Sequence, residues 1–331
     1  MHDFADGERF YSERELIKKL KVSQPTIRRA LLDLAGEGYL VASPRRGFFV
    51  RKNTPKKHIG VLTPGYQLTP SLSRVEIMAN ACRERGIEFH SYYLHPDDSV
   101  EDALKMIRNK PADERIILMG LDAGFTRALI EKLESSGYIY LIVHYVPPDH
   151  SGRSVGVDEE AAFNMIFHHL GELGHKRMLF MVSEPVELTA TIQRTAILEK
   201  QIKAYPDARI VSCETKNWTS SFDATYVKIG EILKQKPWPT AICPLSGAGA
   251  WAVLRYCMEH GIKIPRDISL VCYDPLSGTE LLPIPLTSLS YSEVELTEAA
   301  VDLVWDDEPK SFRKLIMPAL TVRASTGPVS E

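Results

Sequence analysis

Residues 12–50 read SERELIKKLKVSQPTIRRALLDLAGEGYLVASPRRGFFV and combine two helix signatures, a turn and a basic hairpin. Ser12 followed by Glu15 is a capping box, so a helix starts there, with Leu16, Ile17 and Leu20 as its apolar stripe. Val22 enters a short turn. Ser23 is placed to cap a second helix. Pro25 suits its first turn, where a missing N–H costs nothing, and Ile27, Ala30, Leu31 and Leu34 give that helix a buried face. Its other face carries Gln24, Arg28 and Arg29. Gln24 and Arg28 stand four residues apart near the helix N-terminus, the end that helix-turn-helix proteins push into the major groove. Gly38 closes the helix. The β-type runs Tyr39 to Ser43 and Phe48 to Val50 then flank Pro44, Arg45, Arg46 and Gly47, a hairpin whose cationic tip suits phosphates or a minor groove.

These residues resemble the winged helix of GntR-type transcriptional regulators. The resemblance covers about forty residues and implies DNA contact from Arg14, Ser23, Gln24, Thr26, Arg28, Arg45, Arg46 and Gly47. One departure concerns base reading. The family most often places Arg after the turn Ser, where this chain has Gln24; Arg fits guanine O6/N7 and Gln fits adenine N6/N7, so an altered operator base is expected. A second departure is at the front, where the family has a further helix and this chain has MHDFADGERFY, short and polar. The first helix is expected to be missing and part of the core uncovered, either because the natural start lies upstream or because the partner subunit completes the domain.

Charge supports a polyanion partner for this piece alone. Through His58 there are 13 Lys and Arg against 7 Asp and Glu, a net of +6; the remaining residues hold 27 against 36, a net of −9, which recovers the overall −3. A local basic excess binds phosphate while an acidic remainder stays off it.

The 331 residues suffice for two or three domains, and 44% apolar with 25% charged is ordinary for a soluble globular chain. Neither a secretory signal nor an apolar stretch of roughly 20 residues is seen, so a cytoplasmic location is expected. The five cysteines, Cys82, Cys213, Cys243, Cys257 and Cys272, form no CxxC pair and read as buried thiols. No Cys or His spacing fits a metal, and His168 and His169, adjacent on a helix, point apart. GxSxG, P-loop, GxGxxG and HExxH motifs are missing, so neither catalysis nor a cofactor is expected.

Residues 53–58, NTPKKH, are polar and basic and read as a linker between a head at 1–52 and a body at 59–331. In the body, apolar runs alternate with helical segments: HIGVLTP, EFHSYYL, RIILMGL and YIYLIVHY, then RMLFMV, ARIVSCE, TAICPL and SLVCYD. Such alternation means an α/β fold with two buried parallel sheets, each doubly wound by helices. Ligands of open α/β sheets sit beyond the strands' carboxyl ends, so two facing lobes place a ligand between them.

IGVLTP at 59–64, SVGVDEEAA at 154–162, HLGELGHKRMLFM at 169–181, GIKIPRDISLVCYD at 261–274, PLTSLS at 285–290 and LTVRAST at 320–326 make this body similar to the effector-binding region of LacI-type repressors, related to periplasmic sugar-binding proteins. A GntR-type head on a LacI-type body resembles the arabinose repressor in architecture. The resemblance implies a dimeric regulator, most simply a repressor, whose operator affinity follows a small-molecule effector such as a sugar or sugar derivative. A transport-system solute receptor and a regulator with a degenerate effector site are the alternatives. It also implies effector contacts from Arg194 and Asp274, and from Trp218 as a stacking ring or a packing residue at the cleft edge. Elsewhere the pattern departs: His144 and Tyr145 stand for Asp-Arg, Ser246 and Gly247 for Asn-Asp, and Gly65 and Tyr66 for an acidic first loop. Tyr66, His144, Tyr145 and Ser246 are therefore candidate contacts to a different or modified sugar, or packing residues at a lobe hinge. Asp158 reads as a helix cap and hinge residue.

Overall fold

The computed structural model describes residues 4–36, 39–43, 46–50, 57–65, 70–108, 114–147, 150–306 and 311–330, without the side chains of residues 36, 70–73 and 218. The chain forms two compact units, Met1–Lys57 and His58–Glu331.

In the first unit, Ser12 caps α1 (Glu13–Leu20) as the spacing predicts. Its Oγ accepts from the Glu15 N–H at 3.3 Å, and the Glu15 carboxylate accepts from the Ser12 N–H at 2.7 Å. Lys21, left-handed at φ 56°, ends the helix. Pro25 lies second in α2 (Gln24–Gly36), where its ring is tolerated. Strands β1 (Leu40–Ser43) and β2 (Gly47–Val50) pair antiparallel, Ser43 opposite Gly47. Gly47 has φ +96°, a conformation that side chains rarely adopt, so this turn demands glycine. Leu16, Ile27, Leu31, Leu40 and Val50 form the buried core. Leu20 and Ala30, expected to be inside, are exposed. Gly38 and Arg45 lie outside the described residues.

The front segment corrects the expectation of an uncovered core. Residues 4–12 form no helix, yet Gly7 and Phe10 donate to the Val50 and Phe48 carbonyls at 2.8 Å, and Val50 donates to that of Glu8 at 2.7 Å. The segment thus lines β2 as a third extended piece. Phe4, Phe10 and Tyr11, mutually in contact at ring separations of 5.1–5.5 Å, pack against the core. Three aromatics offset the polarity of the stretch around them.

The second unit begins at β3 (His58–Pro64), so His58, read as linker, opens a strand; residues 53–56 are outside the described set. There follow α3 (Pro70–Glu84), β4 (Glu88–Leu94), α4 (Val100–Arg108), β5 (Arg115–Met119), α5 (Ala123–Ser135), β6 (Tyr140–His144) and β7 (Ser154–Val157). Then come α6 (Glu159–Glu172), β8 (Met178–Val182), α7 (Thr189–Gln201), β9 (Arg209–Ser212), α8 (Ser221–Ile232), β10 (Ala241–Pro244), α9 (Gly247–Glu259), β11 (Ser269–Tyr273) and β12 (Thr287–Ser290). The chain ends with α10 (Glu293–Leu303), β13 (Arg313–Ile316) and β14 (Ala319–Thr321).

Two six-stranded sheets result, ordered β13-β7-β6-β5-β3-β4 and β14-β12-β11-β10-β8-β9. Every pairing is parallel except β12 with β14. Each sheet carries helices on both faces. In the first lobe α3 and α10 cover one apolar face and α4 and α5 the other; in the second, α6 and α7 oppose α8 and α9. The chain passes between lobes three times: at Asp158, between β12 and α10, and between β13 and β14. Asp158 caps α6, accepting from the Ala161 N–H at 2.9 Å, and its own N–H donates to the Ile316 carbonyl at 3.0 Å, which ties two crossings together. All five cysteines are free and buried.

Candidate nucleic-acid interface and effector cleft

On the head, α2 turns its apolar side inward through Ile27 and Leu31 and leaves Ser23, Gln24, Thr26 and Arg28 exposed at its N-terminal turn. Arg14 is exposed on α1, and Arg46 and Gly47 on the hairpin tip. The Ser23 and Thr26 hydroxyls share a hydrogen bond of 2.8 Å. Gln24 Nε2 donates to Glu13 at 3.2 Å, and Arg28 lies 3.9 Å from the same carboxylate. Glu13 therefore contacts both exposed side chains expected to meet DNA and anchors that of Gln24, a role that helix periodicity does not reveal. Arg46 rests over the Phe49 ring at 5.6 Å.

In the body, Arg194 is the centre of the cleft. It projects from α7 and is only 1% exposed. Its Nε donates to Glu159 at 3.2 Å, and its Nη2 to the Tyr145 hydroxyl at 3.0 Å and to Asp274 at 3.4 Å; Nη1 approaches Glu184 at 3.7 Å. The Tyr273 and Tyr145 rings flank the guanidinium at 4.4 and 5.1 Å. Burial opposes its charge, but the acidic oxygens of Tyr145, Glu159, Tyr273 and Asp274 outweigh that and hold its pKa well above the ordinary arginine value. A planar fork meets several acceptors at once, which an ammonium cannot do.

Tyr145 belongs to the first lobe, and its hydroxyl donates to Asp274 of the second at 3.3 Å while accepting from Arg194. Three further contacts close the lobes on one another: the Val146 N–H donates to Gln193 at 3.4 Å, the Thr189 hydroxyl donates to the Leu121 carbonyl at 2.9 Å, and Asp122 bridges Leu188. His144 and Asp274, at the ends of β6 and β11, have φ of 81° and 53°. Two non-glycine residues in left-handed backbone thus face one cleft, and such strain persists where the surroundings fix it.

Beside them, Arg74 donates from Nε to Glu293 at 2.8 Å and from Nη2 to the Tyr291 hydroxyl at 3.0 Å. The Tyr291 proton goes to Glu293 at 3.0 Å, so the short contact between Tyr291 and His144 uses the Nε2–H of the imidazole as donor. His144 Nδ1 has no partner among the described residues. Burial, helped by Arg74 and Arg194, pushes the His144 pKa well below normal and keeps the ring neutral. Burial also raises the Glu184 carboxyl to about 8 against the opposing pull of Arg194.

The structure thus brings His144, Tyr145, Arg194 and Asp274 together. Ser246 is placed otherwise: its hydroxyl caps α9 by accepting from the Gly249 N–H at 3.1 Å, and shares bonds with Ser183 at 2.8 Å and Ser221 at 3.2 Å. Its capacity is spent on the fold. Gly247 beside it is required, since a Cβ there would lie 2.7 Å from the Leu276 nitrogen and 2.9 Å from the Asp274 carbonyl oxygen. Tyr66 and the Trp218 side chain lie outside the described residues. Sequence reasoning missed Glu159, Glu184, Arg74, Tyr291 and Glu293. Glu184 stands just beyond the carboxyl end of β8, and a search of every strand end for charged residues finds it.

Among the described residues no group of three or more His, Cys, Asp and Glu side chains is placed to hold a metal ion. No described helix is long and apolar enough to cross a membrane. His168 and His169 do point apart, to Glu172 at 3.3 Å and to Thr326 at 2.9 Å.

Comparison with known proteins follows the same division. Residues 2–50 match the family of bacterial regulatory proteins, gntR family, and residues 167–326 match the periplasmic binding protein-like domain. The HTH-type transcriptional repressor MelR of Bacillus subtilis is 24% identical, over 88% of this chain and 90% of the relative. The arabinose metabolism transcriptional repressor of Geobacillus stearothermophilus is 22% identical, over 96% and 92%. Among solved structures, the lac repressor dimer bound to operator and an anti-inducer has a TM-score of 0.71 at 19% identity, covering 83% of this chain and 96% of that one. A LacI family regulator from Enterococcus faecium with bound ribose has a TM-score of 0.67 at 20% identity, covering 83% and 100%. The chain therefore joins a gntR-family helix-turn-helix head to a periplasmic-binding-protein-like body of LacI-like fold, an architecture similar to that of the arabinose repressor.

Proposed function

We propose that this protein is a DNA-binding transcriptional regulator, a repressor whose grip on its operator is set by a small molecule held between the two lobes. The observation that carries the reading is a basic reading face, with Gln24 and Arg28 exposed on α2, in the same chain as a cleft centred on Arg194. It works in the cytoplasm on double-stranded DNA. Two copies match a palindromic operator, since one reading helix covers one half-site. Ligand binding alters how the lobes close, closure shifts the spacing of the heads, and a coupling of about 1–3 kcal/mol suffices for regulation. The relative named for arabinose metabolism and the ribose-bound structure favour a carbohydrate effector.

Sealing of the cleft by Tyr145 favours a second reading, a regulator whose effector site is degenerate. Operator affinity of the full-length protein, measured against salt and against a sugar panel, separates the two. Salt-sensitive, sequence-preferring binding relieved by a sugar supports effector control, and binding that no ligand alters supports the degenerate site. Absence of any sequence preference overturns the regulator reading itself.

A further inference from the structure

Four carboxylates in the cleft, Glu159, Glu184, Asp274 and Glu293, share two guanidiniums, Arg74 and Arg194. Three of the four each accept hydrogen bonds, although Glu293 Oε2 is itself buried without a partner among the described residues. Glu159 takes Arg194 Nε and the Tyr273 hydroxyl, Asp274 takes Arg194 Nη2 and the Tyr145 hydroxyl, and Glu293 takes Arg74 and the Tyr291 hydroxyl. Glu184 has only Arg194 Nη1 at 3.7 Å, beyond hydrogen-bonding range, and is 2% exposed. Among the described residues no donor reaches it. Its charged neighbours are Arg194, Asp274, Glu159 and Arg74, and the cation it faces, Arg194, is shared with both of the other carboxylates. An acidic side chain buried on these terms lacks a positive counterpart of its own, having only a share of Arg194 at 3.7 Å.

We propose that the missing counterpart belongs to the ligand: the cleft selects a small polyhydroxylated molecule bearing an ammonium group, an amino sugar in the simplest case, with its ammonium on Glu184. A ligand hydroxyl takes the place of the Tyr145 hydroxyl between Arg194 and Asp274, because it accepts from the first and donates to the second as Tyr145 does. Neutral sugars satisfy the second position and leave Glu184 as it was. This inference rests on the effector-cleft reading above and adds the ligand's charge to it.

The test is a thermal-shift and calorimetric panel on the full-length protein. D-glucosamine, D-galactosamine and D-mannosamine are set against their parent hexoses and their N-acetyl forms, which keep the hydroxyls and lose the charge. At least one amine is expected to raise the melting temperature and to bind at least tenfold tighter than both neutral partners. Glu184→Gln is expected to abolish that preference and Glu184→Asp to retain it, with the melting curve of each variant reporting that it folds. Equal binding of a parent hexose, a preference that survives Glu184→Gln, or no binding of any amine overturns the proposal. Equal binding of hexoses leaves the effector-cleft reading standing, and operator binding without any sugar tests the regulator reading independently.

Discussion

Gln24 donates its side-chain N–H to Glu13 at 3.2 Å, so the residue proposed to read a base is already held by the helix in front of it. A pre-oriented amide loses less freedom on meeting an adenine edge than a free one. Gln24→Arg is expected to move operator preference from adenine toward guanine at one position of each half-site, by about 1–3 kcal/mol. Selection of bound sequences from a random pool checks this, and an unchanged consensus refutes it. Glu13→Gln is expected to weaken binding without altering the consensus.

Leu31 is almost fully buried in a head whose core, among the described residues, has five buried apolar side chains. Leu31→Ala is expected to cost about 2–5 kcal/mol, most of what so small a unit has to spare. Operator binding disappears, while the near-ultraviolet signal of the body and its main melting transition persist. Loss of both together would show that the two units do not unfold separately.

Arg194 neutralises three carboxylates, of which Glu159 and Glu184 are buried. Arg194→Ala leaves Glu159, Glu184 and Asp274 without their cation, at an expected cost of about 3–5 kcal/mol in urea unfolding of the body. The deficit narrows toward pH 4, where the orphaned carboxylates take up protons. A deficit independent of pH would point to lost packing alone.

Glu184 has a folded pKa raised to about 8 by burial, against 4.5 for an ordinary glutamate. The folded state therefore binds the proton more tightly than the unfolded state, and the stability this gives is complete below pH 4.5 and lost as pH rises through 8. Glu184→Gln removes that slope. The wild-type protein is expected to fall behind the variant between pH 5 and pH 8, as read by urea midpoints at three pH values. Parallel midpoint curves would contradict the assignment.

Much of this architecture is legible in the chain because parallel strands covered on both faces appear as unbroken apolar runs, as in β6 and β8. Helix limits are less sharply marked: α7 (Thr189–Gln201) runs on into a 3-10 turn at Ile202–Ala204 that apolar periodicity does not separate from it. Strands β13 and β14 escaped because they are four and three residues long and largely exposed, so neither a run nor an alternation marks them. The capping box of α1 and the glycine of the hairpin turn are local in sequence, which is why the head is so plainly written. Cleft contacts such as Tyr145 with Asp274 or Arg74 with Glu293 join residues 129 and 219 positions apart. No spacing rule reaches that far, and the pairing of Arg74 depends on where α10 re-enters the first lobe.

The three passages of the backbone between lobes also govern how the molecule is made. Translation delivers the head and the strands β3 to β7 first, yet the first sheet lacks its border strand β13, and one apolar face lacks α10, until residues 293–316 have left the ribosome. A nascent chain halted in the second lobe holds an incomplete sheet with its β7 edge open, a template for pairing with other chains. Product cut short before Ile316 is thus expected to aggregate or be degraded rather than to persist as a head without a complete body.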